Sequence, residues 1–335
     1  MKIIANLLML GLMCLSSVAN AADKLTVYSY RQAFLIDPIL RDFTKETGID
    51  VDVVFSKKGI AERMMREGRL SPADIVLTSD FYRLMELVDK KLVVPASSAL
   101  LKTNIPVQYR SPDDNWYALT MRVRTIYSSK DRLGKLNINY EDLADPKYKG
   151  KICTRSGKHP YNISLIASMI AHHGEVETKA WLIGLKANLA RKPQGNDRGQ
   201  VKAVKEGLCD IAIGNSYYLG KMLQDPKQVP WAEAVEINFP NQDNLGSHIN
   251  VSGMAMAKYS RNKENALKLM EYLSGNKAQQ VYAEVNMEYP VNEDVKPSAL
   301  VASWGEFKAD NLPIYKLAEF HHAAVRMLDE VKFDL

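Results

Sequence analysis

Strand-like and helix-like segments alternate in this chain with a regularity that constrains its fold more than any other feature. Residues 24–30 (KLTVYSY) have the alternating pattern of a strand, and residues 38–47 (PILRDFTKET) begin with proline and end before a glycine, as helices often do. The same order recurs, with strand-like segments at 50–55 and 73–77 and helical segments at 60–67 and 81–92. Strands that alternate with helices predict an α/β fold with a largely parallel sheet.

A second series of the same kind follows residue 116. Its strand-like segments are 117–128, 151–155 and 210–214, and its helical segments are 164–172, 177–188 and 200–206. A further extended segment at 249–257 precedes amphipathic helices at 263–273 and 277–284. The 335 residues exceed what one hydrophobic core usually supports. We therefore predict two α/β lobes, joined by a chain that crosses between them more than once.

The N-terminus has the features of a cleaved secretory signal. Lys2 precedes the apolar run 3–15, and the small-residue site ANA follows at 19–21. We therefore expect residues 1–21 to be a signal peptide, cleaved near Ala21, and the mature protein to be periplasmic. No later stretch approaches twenty uninterrupted apolar residues, so a soluble mature protein is expected.

The three cysteines support two further expectations. Lipidation of Cys14 is the alternative to simple cleavage, although Met13 is larger than the residue that usually precedes a lipidated cysteine. After cleavage, Cys153 and Cys209 are an even pair in an oxidising compartment, for which a disulfide is the natural hypothesis. A metal thiolate site is the alternative, but neither a CxxC spacing nor a neighbouring histidine pair accompanies these cysteines.

Charge and motifs argue against several classes of function. The formal net charge of +5 is dispersed without a basic block, so no nucleic-acid partner is predicted. Neither a GxSxG elbow, an HExxH motif nor a P-loop occurs, which favours a binding protein over an enzyme. The adjacent histidines at 172–173 and 321–322 lack the i, i+4 spacing of helical metal ligands and are expected to face solvent.

Tyrosines are the informative side chains. Tyr161, Tyr217 and Tyr218 each follow a predicted strand and precede a helical segment, where ligand-binding loops of open α/β sheets lie. A phenol is normally neutral, because its reference pKa is about 10, but an adjacent multivalent cation favours the phenolate. Phenolate oxygens suit a hard trivalent ion such as ferric iron, unlike thiolates and imidazoles. The alternative is that each ring is a packed aromatic with a hydrogen-bonded hydroxyl.

Three phenolates would leave coordination positions of an octahedral ion open. Arg31 and Gln32, in the loop after the first strand, could hold a small anion such as carbonate, because arginine offers a fork of donors and glutamine adds another. An ordinary surface or interlobe salt bridge is the alternative for Arg31.

Several segments resemble the periplasmic ferric-binding proteins of ABC iron importers. These segments cover nearly the whole mature chain, and the YN-SL and NSYYLG elements are the most specific. They are YSYRQAFLIDPIL, SPADIVLTSD, GKICTRSGKHPYNISLIAS, GNDRGQVKAVKEGLCDIAIGNSYYLGKM, HINVSGMAMAK and EYPVN.

The resemblance implies a set of site residues. Iron ligands would be Tyr161, Tyr217 and Tyr218. Many members of the family also use a His-Tyr pair in the first lobe, but Gln32 and Ala33 stand at those places here. The YSYRQ form is similar to a subgroup in which carbonate or bicarbonate, held by Arg31 and Gln32, replaces first-lobe ligands. Tyr30 is a further candidate ligand, and candidate donors behind the ligands are Arg122, Arg124 and Arg198.

The resemblance also implies an architecture and a function. The fold would be the type II, transferrin-lobe-like fold of periplasmic binding proteins, with hinge crossovers near 120–125 and 246–251. The first lobe would comprise 22–121 and about 250–295, and the second 122–249 and about 296–335. A monomer would deliver ferric iron to an inner-membrane ABC permease with a separate ATPase. The alternatives are a receptor for a small anionic or organic solute and a periplasmic enzyme with a tyrosine or histidine acid or base.

Overall fold

A computed structural model describes residues 24–335. The predicted signal peptide, its cleavage near Ala21 and the alternative lipidation of Cys14 lie outside these residues. None of the helices between Lys24 and Leu335 combines the length and the apolar character that a membrane span requires.

One sheet runs through the described part of the chain. Its strands are β1 Lys24–Ser29, β2 Asp50–Phe55, β3 Ile75–Thr78, β4 Val93–Val94, β5 Tyr117–Ser129, β6 Ile152–Cys153, β7 Ile211–Asn215, β8 Val235–Asn238, β9 Ile249–Ala257 and β10 Tyr289–Pro290. The order is β2-β1-β3-β9-β5-β7-β6, with β4, β8 and β10 paired at the sides of this path.

Helices cover the sheet, as the alternating pattern predicted. They are α1 Ala33–Thr47, α2 Ile60–Glu67, α3 Phe81–Asp89, α4 Ala99–Asn104, α5 Pro160–Ala187, α6 Asp197–Lys205, α7 Tyr217–Leu223, α8 Val229–Ala232, α9 Lys263–Ser274, α10 Asn276–Asn286, α11 Ala299–Ala302 and α12 His321–Val331. The two helical segments predicted at 164–172 and 177–188 form α5, which Gly174 interrupts with non-helical angles (φ 82°, ψ 170°). Helix α1 begins before Pro38, which lies inside it.

The strand pairing is mixed rather than largely parallel. β1 is parallel to β2 and β3, and β6 is parallel to β7, as expected. The two long strands β5 and β9 are antiparallel to each other and to their other neighbours. Because these two strands carry the chain between the halves of the molecule, their direction is set by the crossing and not by a strand-helix-strand unit.

Strand β5 changes partner in its middle. Residues up to Val123 pair with β9, and from Arg124 onward the strand pairs with β7 and then with β8. This change lies inside the crossover predicted at 120–125. β9 begins within the other predicted crossover, at Ile249. The two crossovers are therefore adjacent antiparallel segments, and both halves of the sheet are joined there.

The hydrophobic cores lie on either side of this junction. One is built around β1, β3, β9 and helices α1, α9 and α10, and it also takes in Ile314 and Leu317 near the C-terminus. A second packs α5 and α12 against β7, and a third surrounds Cys153 and Cys209. The residue ranges expected for the two lobes stay a prediction.

The predicted disulfide is present. Cys153 at the end of β6 is bonded to Cys209, just before β7, with 5.9 Å between their Cα atoms. Both cysteines are buried. The bond joins the neighbouring strands β6 and β7. Arg155 follows β6 and Tyr217 follows β7, so the bond helps to position the site described next.

Candidate metal centre

Short loops at two strand ends bring the three candidate tyrosines to the start of two helices. Tyr161 is the second residue of α5, and the Nδ1 atom of His159 caps this helix by accepting a hydrogen bond from the Tyr161 amide at 3.3 Å. Tyr217 and Tyr218 open α7, two and three residues after the end of β7 at Asn215. Pro160 suits the first turn of α5, because the amide it lacks would have no partner within the helix.

The three phenols converge. The rings of Tyr217 and Tyr218 have centroids 4.1 Å apart and planes inclined by 32°. Burial raises the pKa of Tyr217 well above its usual value, and the neighbouring Tyr161 and Tyr218 phenols raise it further. Burial, followed by the Tyr161 phenol, likewise raises the pKa of Tyr218. Tyr217 and Tyr218 are therefore neutral without a cation, and an ion that binds their oxygens must displace protons.

Guanidinium groups surround the phenols. The Cζ atoms of Arg122, Arg124 and Arg155 lie 5.6, 5.9 and 5.4 Å from the centroid of the Tyr161 ring. Arg198 lies at 5.9 Å from the ring of Tyr218. Positive charges at this distance favour the ionised phenol, and Arg122 does lower the pKa of Tyr217 against the effect of burial. The arginines thus favour phenolate formation on cation binding.

A buried polar network holds Arg124 in place. Its Nη1 donates to Asp197 Oδ2 at 2.7 Å and to Asn215 Oδ1 at 3.1 Å, and its Nη2 donates to Asn162 Oδ1 at 2.6 Å. Arg155 donates to the other oxygen of Asp197 at 3.1 Å. Burial alone would raise the pKa of Asp197, but the two arginines hold it low. The carboxylate stays charged and fixes the network beside Tyr161.

Arg31 is engaged by a carboxylate from a distant part of the chain. Its Nη2 donates to Glu288 Oε2 at 2.6 Å, and its Nη1 donates to Thr120 Oγ1 at 3.3 Å. Arg122 donates to the other oxygen of Glu288 at 3.3 Å and to the carbonyl of Ser79. Arg31 and Arg122 are each less than 5% exposed. One carboxylate therefore aligns two arginines on the side of the site nearest the first core.

The other first-lobe candidates lie close to Arg31 in sequence but differ in environment. Gln32 is exposed and stands at the N-terminus of α1 without a side-chain capping bond. The Tyr30 hydroxyl accepts hydrogen bonds from the amides of Ile60 at 3.1 Å and Ala61 at 3.4 Å, at the start of α2. Burial raises the pKa of Tyr30. Its oxygen thus already has partners, whereas the side chain of Gln32 is exposed and caps no amide of α1.

The sequence patterns did not single out four residues of this centre. Arg155 and His159 flank the segment that was identified, but a single arginine or histidine in a loop has no distinguishing pattern. Burial, with the Arg155 charge, lowers the pKa of His159 to about 3, so it is neutral. Asp197 and Glu288 lie 36 and 127 residues from Tyr161 in the numbering, and only the fold shows that they are close. Glu288 belongs to EYPVN, which was noted only for its resemblance.

The adjacent histidines are not uniformly solvent-facing, so that prediction was wrong. His172 bonds Asp310 at 2.8 Å and His173 bonds Glu141 at 2.8 Å, with side chains 17% and 31% exposed. His321 packs on Tyr82 with ring centroids 4.3 Å apart, and His322 alone of the four is exposed. Between residues 24 and 335, histidine, cysteine and acidic side chains form no group of three that could hold a metal ion. The tyrosine centre is the arrangement that suits a hard cation.

Comparisons with known proteins agree with the fold. A sequence model of the family described as bacterial extracellular solute-binding protein matches residues 71–305. Iron uptake protein A1 of Synechocystis sp. is 40% identical over 312 residues, which cover 92% of this chain and 87% of that protein.

Two solved structures extend the comparison. Ferric iron-binding protein A of Mannheimia haemolytica, in an open conformation, is 56% identical with a TM-score of 0.90, covering 94% of this chain and 100% of that chain. Trichodesmium FutA in complex with iron and citrate is 37% identical with a TM-score of 0.89, covering 92% and 99%. The family model and these relatives each match most of this chain, which has the α/β periplasmic-binding-protein fold. The chain therefore belongs to the bacterial extracellular solute-binding protein family.

Proposed function

We propose that this protein captures ferric iron in the periplasm through the phenolates of Tyr161, Tyr217 and Tyr218 and delivers it to an ABC permease. As a member of a solute-binding family it is a transport protein and not an enzyme. The names of its relatives, an iron uptake protein and a ferric iron-binding protein, support iron as the solute. The observation that carries the proposal is the convergence of three phenols inside a shell of arginines.

The chemistry of this donor set selects a hard, highly charged cation. A neutral phenol is a poor ligand, and burial makes Tyr217 and Tyr218 harder to ionise. A trivalent ion can displace the protons because its charge stabilises the phenolates strongly, while a soft or monovalent ion cannot. Three phenolates would balance the charge of ferric iron. Binding would release protons, so the affinity depends on pH.

An anion would complete the coordination of iron. We propose carbonate or bicarbonate, with Arg31 and Gln32 as its donors on the first-lobe side. The exposed amide of Gln32 supports this role, and the Nε atom of Arg31 has no hydrogen-bond partner among residues 24–335. The citrate that accompanies iron in the Trichodesmium relative supports an anion in the site. Tyr30 would be a direct ligand only if its hydroxyl left the amides at the start of α2.

Delivery would use the two-lobed architecture. Iron bound more tightly by the closed form would shift the equilibrium between open and closed lobes, and the permease would recognise the closed form. The lobes in this proposal are 22–121 with about 250–295, and 122–249 with about 296–335. The protein would act as a monomer, and the ATPase would be a separate chain that drives the permease.

A visible-absorption titration of the apo protein with chelated ferric iron, run with and without bicarbonate, tests the proposal. We expect a saturable phenolate-to-iron charge-transfer band at about one iron per protein, as one shared site requires. A bicarbonate requirement would support the anion held by Arg31 and Gln32. A band that does not depend on bicarbonate would support iron as the solute and exclude carbonate or bicarbonate as the required anion. Absence of a band at any iron concentration would exclude the phenolate site and favour a receptor for an anionic or organic solute.

A further inference from the structure

The loop that leads to Tyr161 is short, and one side chain of the following helix holds its beginning. The loop comprises residues 154–159, between the end of β6 and the start of α5. The side-chain amide of Asn162 donates to the Thr154 hydroxyl and to the carbonyls of the next two residues, each at 3.1 Å. These bonds hold the first three residues of the loop.

A carboxylate far along the chain holds the middle of the same loop. Asp334 Oδ2 accepts a hydrogen bond from Ser156 Oγ at 2.6 Å, and its Oδ1 accepts one from the Gly157 amide at 2.7 Å. The Ser156 hydroxyl in turn accepts from the amide of Lys158 at 3.2 Å. Both carboxylate oxygens are thus used on two consecutive residues, and a charged acceptor makes such bonds strong.

Gly157 lets the segment after α12 pack directly on the loop. A Cβ atom at this position would lie 2.5 Å from Leu328 Cδ2 and 2.7 Å from Phe333 Cδ1. Leu328 and Phe333 are buried in the second core, together with residues of α5. A larger residue than glycine would push this segment away from the loop, so the packing and the two hydrogen bonds to the carboxylate depend on each other.

The position of Asp334 is itself fixed by the way in which α12 ends. Lys332 follows the helix in a left-handed conformation (φ 52°), and the Phe333 amide then donates to the Leu328 carbonyl at 3.1 Å. The ammonium group of Lys186, on α5, donates to the Lys332 carbonyl at 2.6 Å. These bonds hold the chain after the helix and place the Asp334 carboxylate against the loop.

We propose that Asp334 is a positioning residue for the Tyr161 ligand: it holds the loop so that the Tyr161 phenol meets iron together with the two phenols of α7. The inference rests on the proposed function. Tyr161 stands four residues after Gly157, at the start of α5, so a displaced loop moves its ring directly. Tyr217 and Tyr218 follow a different strand, β7, and are not carried by this loop. Removal of the carboxylate should therefore act on one phenol of the three.

The test measures the iron affinities of Asp334→Ala and of the wild type by competition with a chelator of known affinity. We expect a loss of about tenfold, at the lower end of what residues that orient a metal ligand from outside contribute, because Asp334 acts through the loop and not by contact with the ring.

Asp329→Ala is the matched control. Asp329 lies in the neighbouring last turn of α12 and pairs with Lys158 of the same loop at 2.5 Å, but both side chains are more than half exposed. Because exposed ion pairs contribute little, its iron affinity should equal that of the wild type. Equal losses in Asp329→Ala and Asp334→Ala would overturn the inference, since the negative charge near the loop would then account for both.

Two tyrosine variants decide on which phenol Asp334 acts. In Tyr161→Phe the positioned oxygen is already absent, so Asp334→Ala should cause no further loss of affinity. In Tyr217→Phe the Tyr161 phenol is still a ligand, and Asp334→Ala should again lower the affinity about tenfold. A general loss of structure would instead lower the affinity equally in both backgrounds.

An unchanged affinity in Asp334→Ala, or equal losses in the two tyrosine backgrounds, would overturn the inference. If Asp334→Ala does not fold, Ser156→Ala takes its place, because it removes one of the two donors and leaves the carboxylate in position. A smaller loss of about threefold is then expected, with the same dependence on Tyr161, and absence of that dependence would also overturn the inference. Failure of the proposed function has a different signature, since the wild type would then show no charge-transfer band at all.

Discussion

The guanidinium carbon of Arg122 lies 5.6 Å from the centre of the Tyr161 ring, while the same side chain donates to Glu288 and to the carbonyl of Ser79. Arg122 thus contacts the crossover region, the first core and the tyrosine centre at once. Its charge lowers the pKa of Tyr217, which burial raises. Arg122 therefore links the position of Ser79, in the loop that follows β3, to the pKa of Tyr217.

Loss of the Arg122 charge should weaken iron binding. In Arg122→Gln the pKa of Tyr217 would rise further, so more free energy would be needed to displace its proton. Arg122 also lies 5.6 Å from the Tyr161 ring. A unit charge at that distance from a phenolate contributes about 3 kcal/mol at an effective dielectric constant of about 20, which corresponds to a loss of about a hundredfold in affinity. Competition with a chelator of known affinity measures this loss.

Arg326→Gln is the matched control for Arg122→Gln. It removes the same charge from a surface residue whose partner, Glu175, is also more than half exposed. Its iron affinity should equal that of the wild type. Equal losses in the two variants would show that net charge, and not the position of Arg122, determines the effect.

Removal of the Tyr217 hydroxyl should weaken the charge-transfer band and lower iron affinity. Both Tyr161 and Tyr218 raise the pKa of Tyr217, so its phenol lies close to the other two. Tyr217→Phe keeps the ring and its contact with Tyr218 but removes one anionic oxygen, and iron affinity should fall by at least about a hundredfold. Tyr272→Phe is the control, because Tyr272 packs against Phe43 in the first core. Wild-type binding by Tyr217→Phe would exclude this tyrosine as a ligand.

Iron binding should strengthen as pH rises. The raised pKa values of Tyr217 and Tyr218 mean that both phenols are protonated in the apo protein at neutral pH. A phenol whose pKa lies above the working pH must lose its proton when the metal binds, so each contributes about one decade of apparent affinity per pH unit. We expect a slope of at least about two, measured with a chelator whose own protonation is corrected. A slope near zero would show that the iron ligands are not phenols.

The sequence predicted the three tyrosines of the candidate site, but not the buried carboxylates that hold its arginines in place. Tyr161, Tyr217 and Tyr218 stand after strands and before helices, and strand ends of one sheet edge meet regardless of sequence distance. Glu288 and Asp197 have no such local signal, because isolated acidic residues are most often solvated and only the fold brings each beside two arginines. The partner of His172 is Asp310, 138 residues away, so a local spacing rule could not identify it.

The same distinction applies to the fold. Alternating strand and helix patterns predicted the α/β class, since these patterns are local, whereas the positions of the two crossovers came from the family resemblance. The antiparallel direction of β5 and β9 depends on how the chain returns between the lobes, which no local pattern encodes. The two halves of β5 have the same buried character, so its change of partner after Val123 is not visible in the sequence either.

The disulfide should contribute to stability without being needed for the metal ligands. Cys153 and Cys209 are 56 residues apart, and closing a loop of that length removes about 4 kcal/mol of unfolded-state entropy in the chain-entropy description. A Cys153→Ser, Cys209→Ser double variant should therefore unfold at lower denaturant concentration than the wild type. Its charge-transfer band should persist under native conditions. Loss of the band in a folded double variant would show that the bond also positions Tyr217.

Replacing Gly246 by alanine should destabilise the protein through a steric clash as well as through its backbone angles. Comparison with Gly48, which has a similar φ and no close neighbour, separates the two effects. It has φ 89° just before the crossover strand β9, and a Cβ atom there would lie 2.5 Å from the carbonyl oxygen of Ala309. Gly48 has a similar φ of 73°, but nothing lies within 4 Å of its Cβ position. Gly48→Ala should therefore show the backbone penalty alone, about 1 kcal/mol, whereas Gly246→Ala should lose about 3 kcal/mol or more.

The difference between the two glycine variants measures the contact at the crossover. Ser247 and Ala309 form a bridge next to this contact, through hydrogen bonds of 2.8 and 2.9 Å. An alanine at 246 must push the 309–310 backbone away. This shift would also disturb the hydrogen bond that the Asp310 carboxylate accepts from Ser168 and the one that it forms with His172. Equilibrium unfolding in denaturant gives both free energies, and equal losses would show that the chain at 309–310 yields freely. Equal losses would indicate a flexible crossover at this position, and a larger loss for Gly246→Ala would indicate a rigid one.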